Sequence, residues 1–580
     1  MMYGKPRSVL STLRLLVPGA MLAALLMPVG ASPAGSAPRQ LTPTFTRAAA
    51  FDTSKPLREL AKTANPGTAR TARIDFERGP GIIDRGHTAD GALQTVGGQA
   101  APTPIPPTLA NFEGLGNQDN FNVFGGRVNP PDPNGEVGPN HYVEMINVVF
   151  GVFSKTGTLL LGPVDTGSLW AGFPIDECTE PSGDPIVVYD QFVDRWILTQ
   201  FTTRGLPPDP LNPFYNCVAV STTPDPTGSY FRYAFTTGFN FPDYPKYGVW
   251  KDSYIITTRE FGQADPNIYG IGVYGLERDR LVVGDPAARA VSFLLEQSVV
   301  PINLIGDGLL PPDVDGQTQP PPNAPAPIIG TQDDGGPYGA TFDALNIWEF
   351  DVQWLTTPTA SIALKTQLPV ASFDSIYPCV GGLNSRDCLP QPGITDPTQF
   401  LDILSYRQRP IFRLAYRNLG TTESMVTNQS VEAKTRVGGT RWYEIRRTNG
   451  VYSVRQQGTV AGKDVHRWMG SIAADKNGNL ALGYSVVNAS NVFPGIRYTG
   501  RLAGDQLGRM TLGEGTIING TASQTHVNSR WGDYTDMTVD PVDDCTFWYV
   551  NEYYTVEGAA TAPDGNGWQT RIASFKLPGC

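Results

Sequence analysis

Histidine is scarce. Four occur in 580 residues, His87, His141, His466 and His526, too few for a multi-histidine metal centre or a His-based triad. Gly-x-Ser-x-Gly, His-Glu-x-x-His and Gly-x-x-x-x-Gly-Lys are all missing, which removes the common serine-hydrolase, zinc-protease and phosphate-loop grammars. Charge is sparse at 17%, with a net balance of −11. Without a surplus of Lys and Arg, the chain is no general nucleic-acid binder. No apolar run beyond Val29 is long enough to cross a bilayer, so no transmembrane segment is expected. Cys-x-x-Cys is absent too, and with it the usual zinc ribbon.

What is abundant is glycine (63), proline (51) and aromatic side chains (10%). Many short strands joined by turns fit that mixture; long helices do not. At the N-terminus, Lys5, Arg7 and Arg14 precede an apolar run from Leu15 to Val29 and a small-residue exit at Gly30-Ala31-Ser32. That order describes a secretory signal peptide over residues 1–31 and a secreted, extracellular protein. Residues 32–109 are rich in Ala, Pro, Thr, Gly and Arg and read as a flexible linker or pro-region. From about residue 110 to Cys580, alternating apolar runs continue without a convincing linker. The Pro-rich stretch 311–327 within them reads as a surface loop.

Six cysteines in an exported chain point to disulfides. Nearest-neighbour spacing favours Cys178–Cys217, Cys379–Cys388 and Cys545–Cys580 among the fifteen pairings that six cysteines allow. The last bridge would pin the chain's end to its own blade and add about 3–4 kcal/mol.

The main observation is a weak internal repeat. Its unit is a polar or Pro/Gly entrance, a short apolar strand, a turn with Asp, Asn or Gly, and a second apolar or aromatic strand. Copies begin at Asp132, Gly183, Asp243, Ala326, Arg407, Arg467 and Arg530, roughly 50–85 residues apart. Two further strand-like runs follow most of them. Four strands per unit and about seven units predict a single all-β propeller over 110–580. The last unit supplies only three strands before the chain stops, so its fourth is expected from Thr108–Leu115, closing first blade onto last.

The long motifs PPDPNGEVGPNHYVEMIN, GDPIVVYDQFVDRWILTQF, DYPKYGVW, RWYEIRR, HRWMGSIAADKNGNLALGYS, GIRYTGR and RWGDYTDMTVDPVDDCTFWYVNEYY resemble an uncharacterised family of secreted, mostly bacterial, β-propeller-like proteins. The resemblance covers about residues 111–580. It implies a secreted propeller and carries over no catalytic residues. A looser likeness to sialidase-type propellers rests on the turn Asp475-Lys476-Asn477-Gly478-Asn479, where Leu480 stands in the aromatic position and the Thr is missing. That turn is a structural blade edge, so it bears on fold and not on reaction.

If each copy opens on an inner strand, Asp132, Asp184, Asp243, Arg407, Arg467, Arg530 and Asp533 converge on one channel mouth. Arginines there would grip the carboxylates or sulfates of an acidic glycan or cell-surface ligand. Paired carboxylates would support glycoside hydrolase or lyase chemistry, with Tyr244 and Tyr534 assisting. The competing reading is structural: entrance Asp caps turns, and Arg–Asp pairs tie blades together. Trp468 and Trp531, each after an entrance arginine, read as packing anchors. Calcium is the one candidate cofactor, at Asp132, Asn134 and Glu136, at Asp475 and Asn477, or at the turn 540–544, all with oxygen ligands around tight turns. None of these completes an EF-hand.

Overall fold

The computed structural model describes residues 41–62, 88–94, 103–377, 379, 388–403 and 408–580. The signal-peptide residues and Arg407 lie outside the described residues. Strands β1 (Thr44–Arg47), β2 (Ala50–Thr53) and β3 (Ala110–Gly116) come first in the chain. Blade one then follows as β4 (Asn134–Val137), β5 (His141–Ile146), β6 (Val149–Ser154) and β7 (Leu159–Asp165). Blade two is β8 (Val187–Asp190), β9 (Arg195–Phe201), β10 (Phe214–Ser221) and β11 (Tyr230–Gly238). Blade three is β12 (Asn240–Val249), β13 (Ser253–Gly262), β14 (Tyr269–Glu277) and β15 (Arg289–Glu296).

Strand β16 (Pro312–Val314) precedes β17 (Ala326–Gln332), β18 (Ala344–Gln353) and β19 (Thr359–Pro369) of blade four. Blade five is β20 (Ile411–Asn418), β21 (Glu423–Lys434), β22 (Val437–Thr448) and β23 (Val451–Val460). Blade six is β24 (His466–Ala474), β25 (Leu480–Val487), β26 (Phe493–Arg501) and β27 (Gly515–Gly520). Blade seven is β28 (Asp536–Val539), β29 (Thr546–Tyr554) and β30 (Trp568–Lys576), completed by β3. The result is a seven-bladed β-propeller.

The ring closes where the sequence predicts. Ala110 to Glu113 of β3 pair antiparallel with Ser574 to Arg571 of β30, so the first strand of the domain finishes the last blade. All three disulfides form in the expected pairs, with Cα–Cα separations of 5.9, 4.2 and 5.6 Å. Between neighbouring blades lie apolar clusters from facing sheets. One joins Val187, Leu198 and Ala219 to Val143 and Phe150; another sets Met537 and Phe547 against Ala473 and Ile496. Such inter-sheet packing is what the alternation in the strands builds. Trp468 and Trp531 are fully buried, with ring centroids 5.2 Å apart, and join blades six and seven.

Two expectations are corrected. The stretch 311–327 is not only a surface loop. Leu310 and Ile329 exchange backbone hydrogen bonds, after which β16 leaves blade four and pairs in parallel with Leu414 to Tyr416 of β20. All three residues of β16 are buried. Ala326, read as the start of the fourth repeat, therefore opens a second strand. Nor are 41–62 and 88–94 a free linker. Strands β1 and β2 extend blades three and two as fifth, outer strands, and Leu57 is buried between blades one and two. Asp90 reaches blade five, where its carboxylate meets Arg441 at 2.9 Å with both side chains fully buried.

Candidate functional site

The inner strands are irregular at one level of the channel. Asp132, Asp184, Tyr244 and Met469 hold φ angles of 46°, 45°, 54° and 44°, in the left-handed region that non-glycine residues avoid. Asp132 and Asp184 stand just ahead of their inner strands β4 and β8, while Tyr244 and Met469 lie within β12 and β24, where register shifts flank them. Backbone strain of this kind persists only where surrounding contacts hold it. Here the contacts are visible. Asn147 donates to Asp132 at 2.6 Å and accepts from the Asp184 N–H at 2.9 Å, which fixes the entrances of blades one and two together.

Asp132, Asp184, Asp243 and Asp533 therefore do converge. The Asp533 N–H donates to Asp132 at 3.3 Å, the Tyr534 hydroxyl donates to Asp184, and Arg259 bridges Asp243 and Asp307 at 3.3 and 3.2 Å. Burial, then the neighbouring Asp533 and Asp184, push the Asp132 carboxyl well above the usual carboxylate range. Burial and the nearby Asp243 push Asp184 up to about 7, against the hydrogen bond from Tyr534.

The arginines divide. Arg467 is not at the mouth: its guanidinium turns along blade six to Glu514 at 2.8 Å and lies over the Tyr484 ring. Arg467 lies within β24, opposite Val486, whereas Arg530 precedes β28, so the two Arg-Trp pairs are not equivalent. Arg409, two residues past Arg407, is buried and pairs with Asp533 at 2.5 Å. Arg530 lines the mouth, and none of its guanidinium nitrogens finds a hydrogen-bond or ion-pair partner among the described residues; its Nε is buried as well.

A pocket of about 450 Å³ opens here, walled by Asp132, Asn147, Asp184, His526, Arg530 and Asp564, among others. Its volume falls in the range of small-ligand sites, roughly 300–1,000 Å³. The lining is dominated by carboxylates, amides and guanidinium groups, with Phe201 as its one phenyl ring. Below it sits Lys246, fully buried, with its Nζ 3.0 Å from the Tyr534 ring centroid and 3.5 Å from that of Tyr244. No hydrogen-bond acceptor reaches it among the described residues. Burial lowers its pKa well below the ordinary lysine value, opposed by Asp533 and Asp184. Nothing in the sequence marks Arg409 or Asn147 as a site residue, and His526 is legible only as one of four histidines. Lys246 left one signal, a lone cation within an apolar inner strand.

The candidate calcium positions are otherwise occupied. Asn134 accepts from the Val187 N–H at 2.8 Å and donates to Asp536 at 3.2 Å, tying three inner strands. Asp132 and Glu136 have different partners: Glu136 accepts from Val137 N–H at 2.9 Å. Asp475 accepts from the N–H groups of Asn477 and Asn479 and from the Asn479 amide. It caps the turn whose Gly478 takes φ +79°, as Asx turns do. In the turn 540–544, Asp540 holds Lys155, Asp543 holds Thr546 and Asp544 holds Arg417. The one acidic triplet close enough to share an ion among the described residues is Asp333, Asp334 and Asp343, and backbone N–H groups engage Asp333 and Asp343.

Fold and pocket together define a class: a disulfide-bonded seven-bladed propeller with a polar mouth. No family model matches the chain, and no curated protein is similar to it in sequence. Among solved structures, Bacillus subtilis levansucrase is similar at 7% identity and a TM-score of 0.29, over 58% of this chain and 83% of its own. Phage phi92 endosialidase gives 7% and 0.31, over 78% and 68%. The α-L-arabinofuranosidase from Lactobacillus brevis gives 10% and 0.27, over 56% and 95%. Likeness of this order carries no functional argument.

Proposed function

We propose that the protein is an extracellular binding module that takes an acidic glycan into the mouth pocket. The observation that carries this reading is Arg530. Its guanidinium lines the pocket without a partner among the described residues, whereas Arg259, Arg409 and Arg467 are already committed to carboxylates. A guanidinium presents two parallel donors that match a carboxylate or sulfate. Asp184, Asn147 and His526 around it offer hydrogen-bonding groups to sugar hydroxyls. The three disulfides suit an oxidising, extracellular medium. Among the described residues no helix is long and apolar enough to cross a membrane.

The test is titration of the protein with polygalacturonate, alginate and hyaluronan, with dextran as the neutral control. Arg530→Ala is expected to weaken binding of the acidic polymer by about tenfold or more, the worth of one charge-assisted contact, while leaving the melting temperature within a degree or so of wild type. Equal binding by the variant, or no binding to any acidic polymer, sinks the reading.

A second reading, cleavage of the bound glycan, has one observation in its favour. Asp184 holds its proton up to about 7, as a general acid must, and Asp132 lines the same pocket. Release of reducing or unsaturated ends from the polymer, lost in Asp184→Asn with binding retained, is its signature. Binding without turnover leaves the module non-catalytic.

A further inference from the structure

The mouth pocket contains a second cation that the reading above does not use. Arg127 follows the helix Asn117–Phe124 and lines the pocket with Asn129, Asp564 and Asn566. Its Nη2 is anchored, donating to Gln118 Oε1 at 2.8 Å and to the Thr561 carbonyl. The guanidinium carbon lies 5.0 Å from the centroid of the Phe121 ring. Anchoring of this kind fixes where the remaining N–H groups point. Nη1 is buried and bonds to nothing among the described residues. Asp564 influences Arg127 electrostatically, but the two form no ion pair, and burial lowers the pKa of the guanidinium.

Arg530 repeats the pattern with Asp132 as the carboxylate that feels it. A third atom completes the set: Asn129 Oδ1 is also buried without a partner. One pocket thus holds two guanidinium groups with unmade donor bonds and one amide oxygen with an unmade acceptor bond. Leaving a buried polar atom unpaired costs about 1–3 kcal/mol, and native structures rarely leave several together without a use for them. The two cations have different neighbours, Asp132 and Asp564, so they mark two places in the pocket.

We infer that the pocket takes two consecutive acidic sugar residues of one chain, the acid group of one on Arg530 and that of the next on Arg127, with a ring hydroxyl donating to Asn129. This inference rests on the acidic-glycan reading and narrows it from an acidic sugar to a polyuronate-type chain. A neutral polymer would leave both guanidinium groups unmatched, and a chain with widely spaced acid groups would reach only one.

The experiment compares mono-, di- and trisaccharides of galacturonate, guluronate and glucuronate by calorimetry, with wild type, Arg127→Gln and Arg127→Lys. In at least one series the disaccharide is expected to bind wild type about tenfold tighter than the monosaccharide, one charge-assisted contact's worth, with little further gain for the trisaccharide. Arg127→Gln should bring the disaccharide down to the monosaccharide's affinity for wild type; Arg127→Lys should recover part of the loss. A melting temperature of Arg127→Gln within a degree or so of wild type reports an intact fold. Equal affinity for mono- and disaccharide, or a disaccharide indifferent to Arg127→Gln, overturns the two-residue inference and leaves the acidic-glycan reading standing. No binding in any series overturns both.

Discussion

Asp184 is the residue whose surroundings depart furthest from what its neighbours in sequence suggest. A Gly-Asp-Pro entrance reads as turn chemistry, yet the carboxyl takes a hydrogen bond from Tyr534 of another blade, 350 residues away, and keeps its proton up to about 7. The folded state then binds more protons than the unfolded chain between the ordinary aspartate value and 7. Its contribution to stability is complete below that ordinary value and disappears as pH rises through 7. Asp184→Asn, which never ionises, should accordingly melt higher relative to wild type at pH 8 than at pH 5. Parallel melting curves for the two proteins across that range would show that the carboxyl titrates normally. The partners of Asp184 were legible only in part. Asp132, Asp184, Asp243 and Asp533 could be named because each follows the repeat's entrance. Arg409 and Arg127 could not, because the repeat points to Arg407 as the entrance and nothing in Arg-Gln-Arg-Pro marks Arg409, and Arg127 belongs to no repeat.

Among the elements, the short ones were hardest to read. Strand β3 is legible in the sequence to within two residues of its start because a ring missing one strand demands one from the N-terminal side, near Thr108–Leu115. Strands β1 and β2 have four residues each, too few to show alternation against a background of Ala, Pro and Thr. They are defined by the outer edges of β15 and β11, which lie more than 170 residues downstream. Strand β16 was hidden by proline, which lacks an N–H and argues against strand interiors; a three-residue stretch pairing along a single edge tolerates it. The segment around Asp90 gives the strongest check that these N-terminal pieces belong to the fold. Asp90→Ala would strand the buried Arg441 guanidinium and should cost roughly 3–5 kcal/mol in denaturant unfolding. A loss below about 1 kcal/mol, the range of exposed pairs, would mean the segment is dispensable.

At the scale of the molecule, acid groups outnumber cations along the channel. Four carboxylates, Glu136, Asp313, Asp315 and Asp536, gather around Arg413, whose side chain is only 1% exposed. Burial and mutual proximity raise Glu136 and Asp536 well above the usual range. Asp315 is pushed to about 6, and elsewhere burial takes Glu144 to about 8 and Glu260 to about 7. Every one of these groups stabilises the fold most when it can hold its proton; for Asp315, Glu260 and Glu144 that contribution is lost as pH climbs from about 6 to 8. His466 works in the other direction: burial lowers it to about 4, so its contribution is present above the ordinary histidine value and fades as pH falls through 6 towards 4. The melting temperature should therefore be higher near pH 5–6 than at pH 8, measured by calorimetry in buffers of equal ionic strength. A maximum above pH 7.5 would contradict the proton-holding channel.

Strand β16 gives the joint between blades four and five a strand ladder, the one such ladder between blades among the described residues. Blades one and two meet through side chains, and water could enter such a seam without breaking a backbone ladder; blades six and seven add only single main-chain bonds, such as Lys476 N–H to the Asp544 carbonyl at 2.9 Å. Blades four and five share a main-chain ladder through β16 and β20, so separating them means stripping peptide hydrogen bonds. For anyone relocating the termini by circular permutation, or cutting the chain into two halves meant to reassemble, this is the joint to leave whole; new ends placed between blades five and six would spare it.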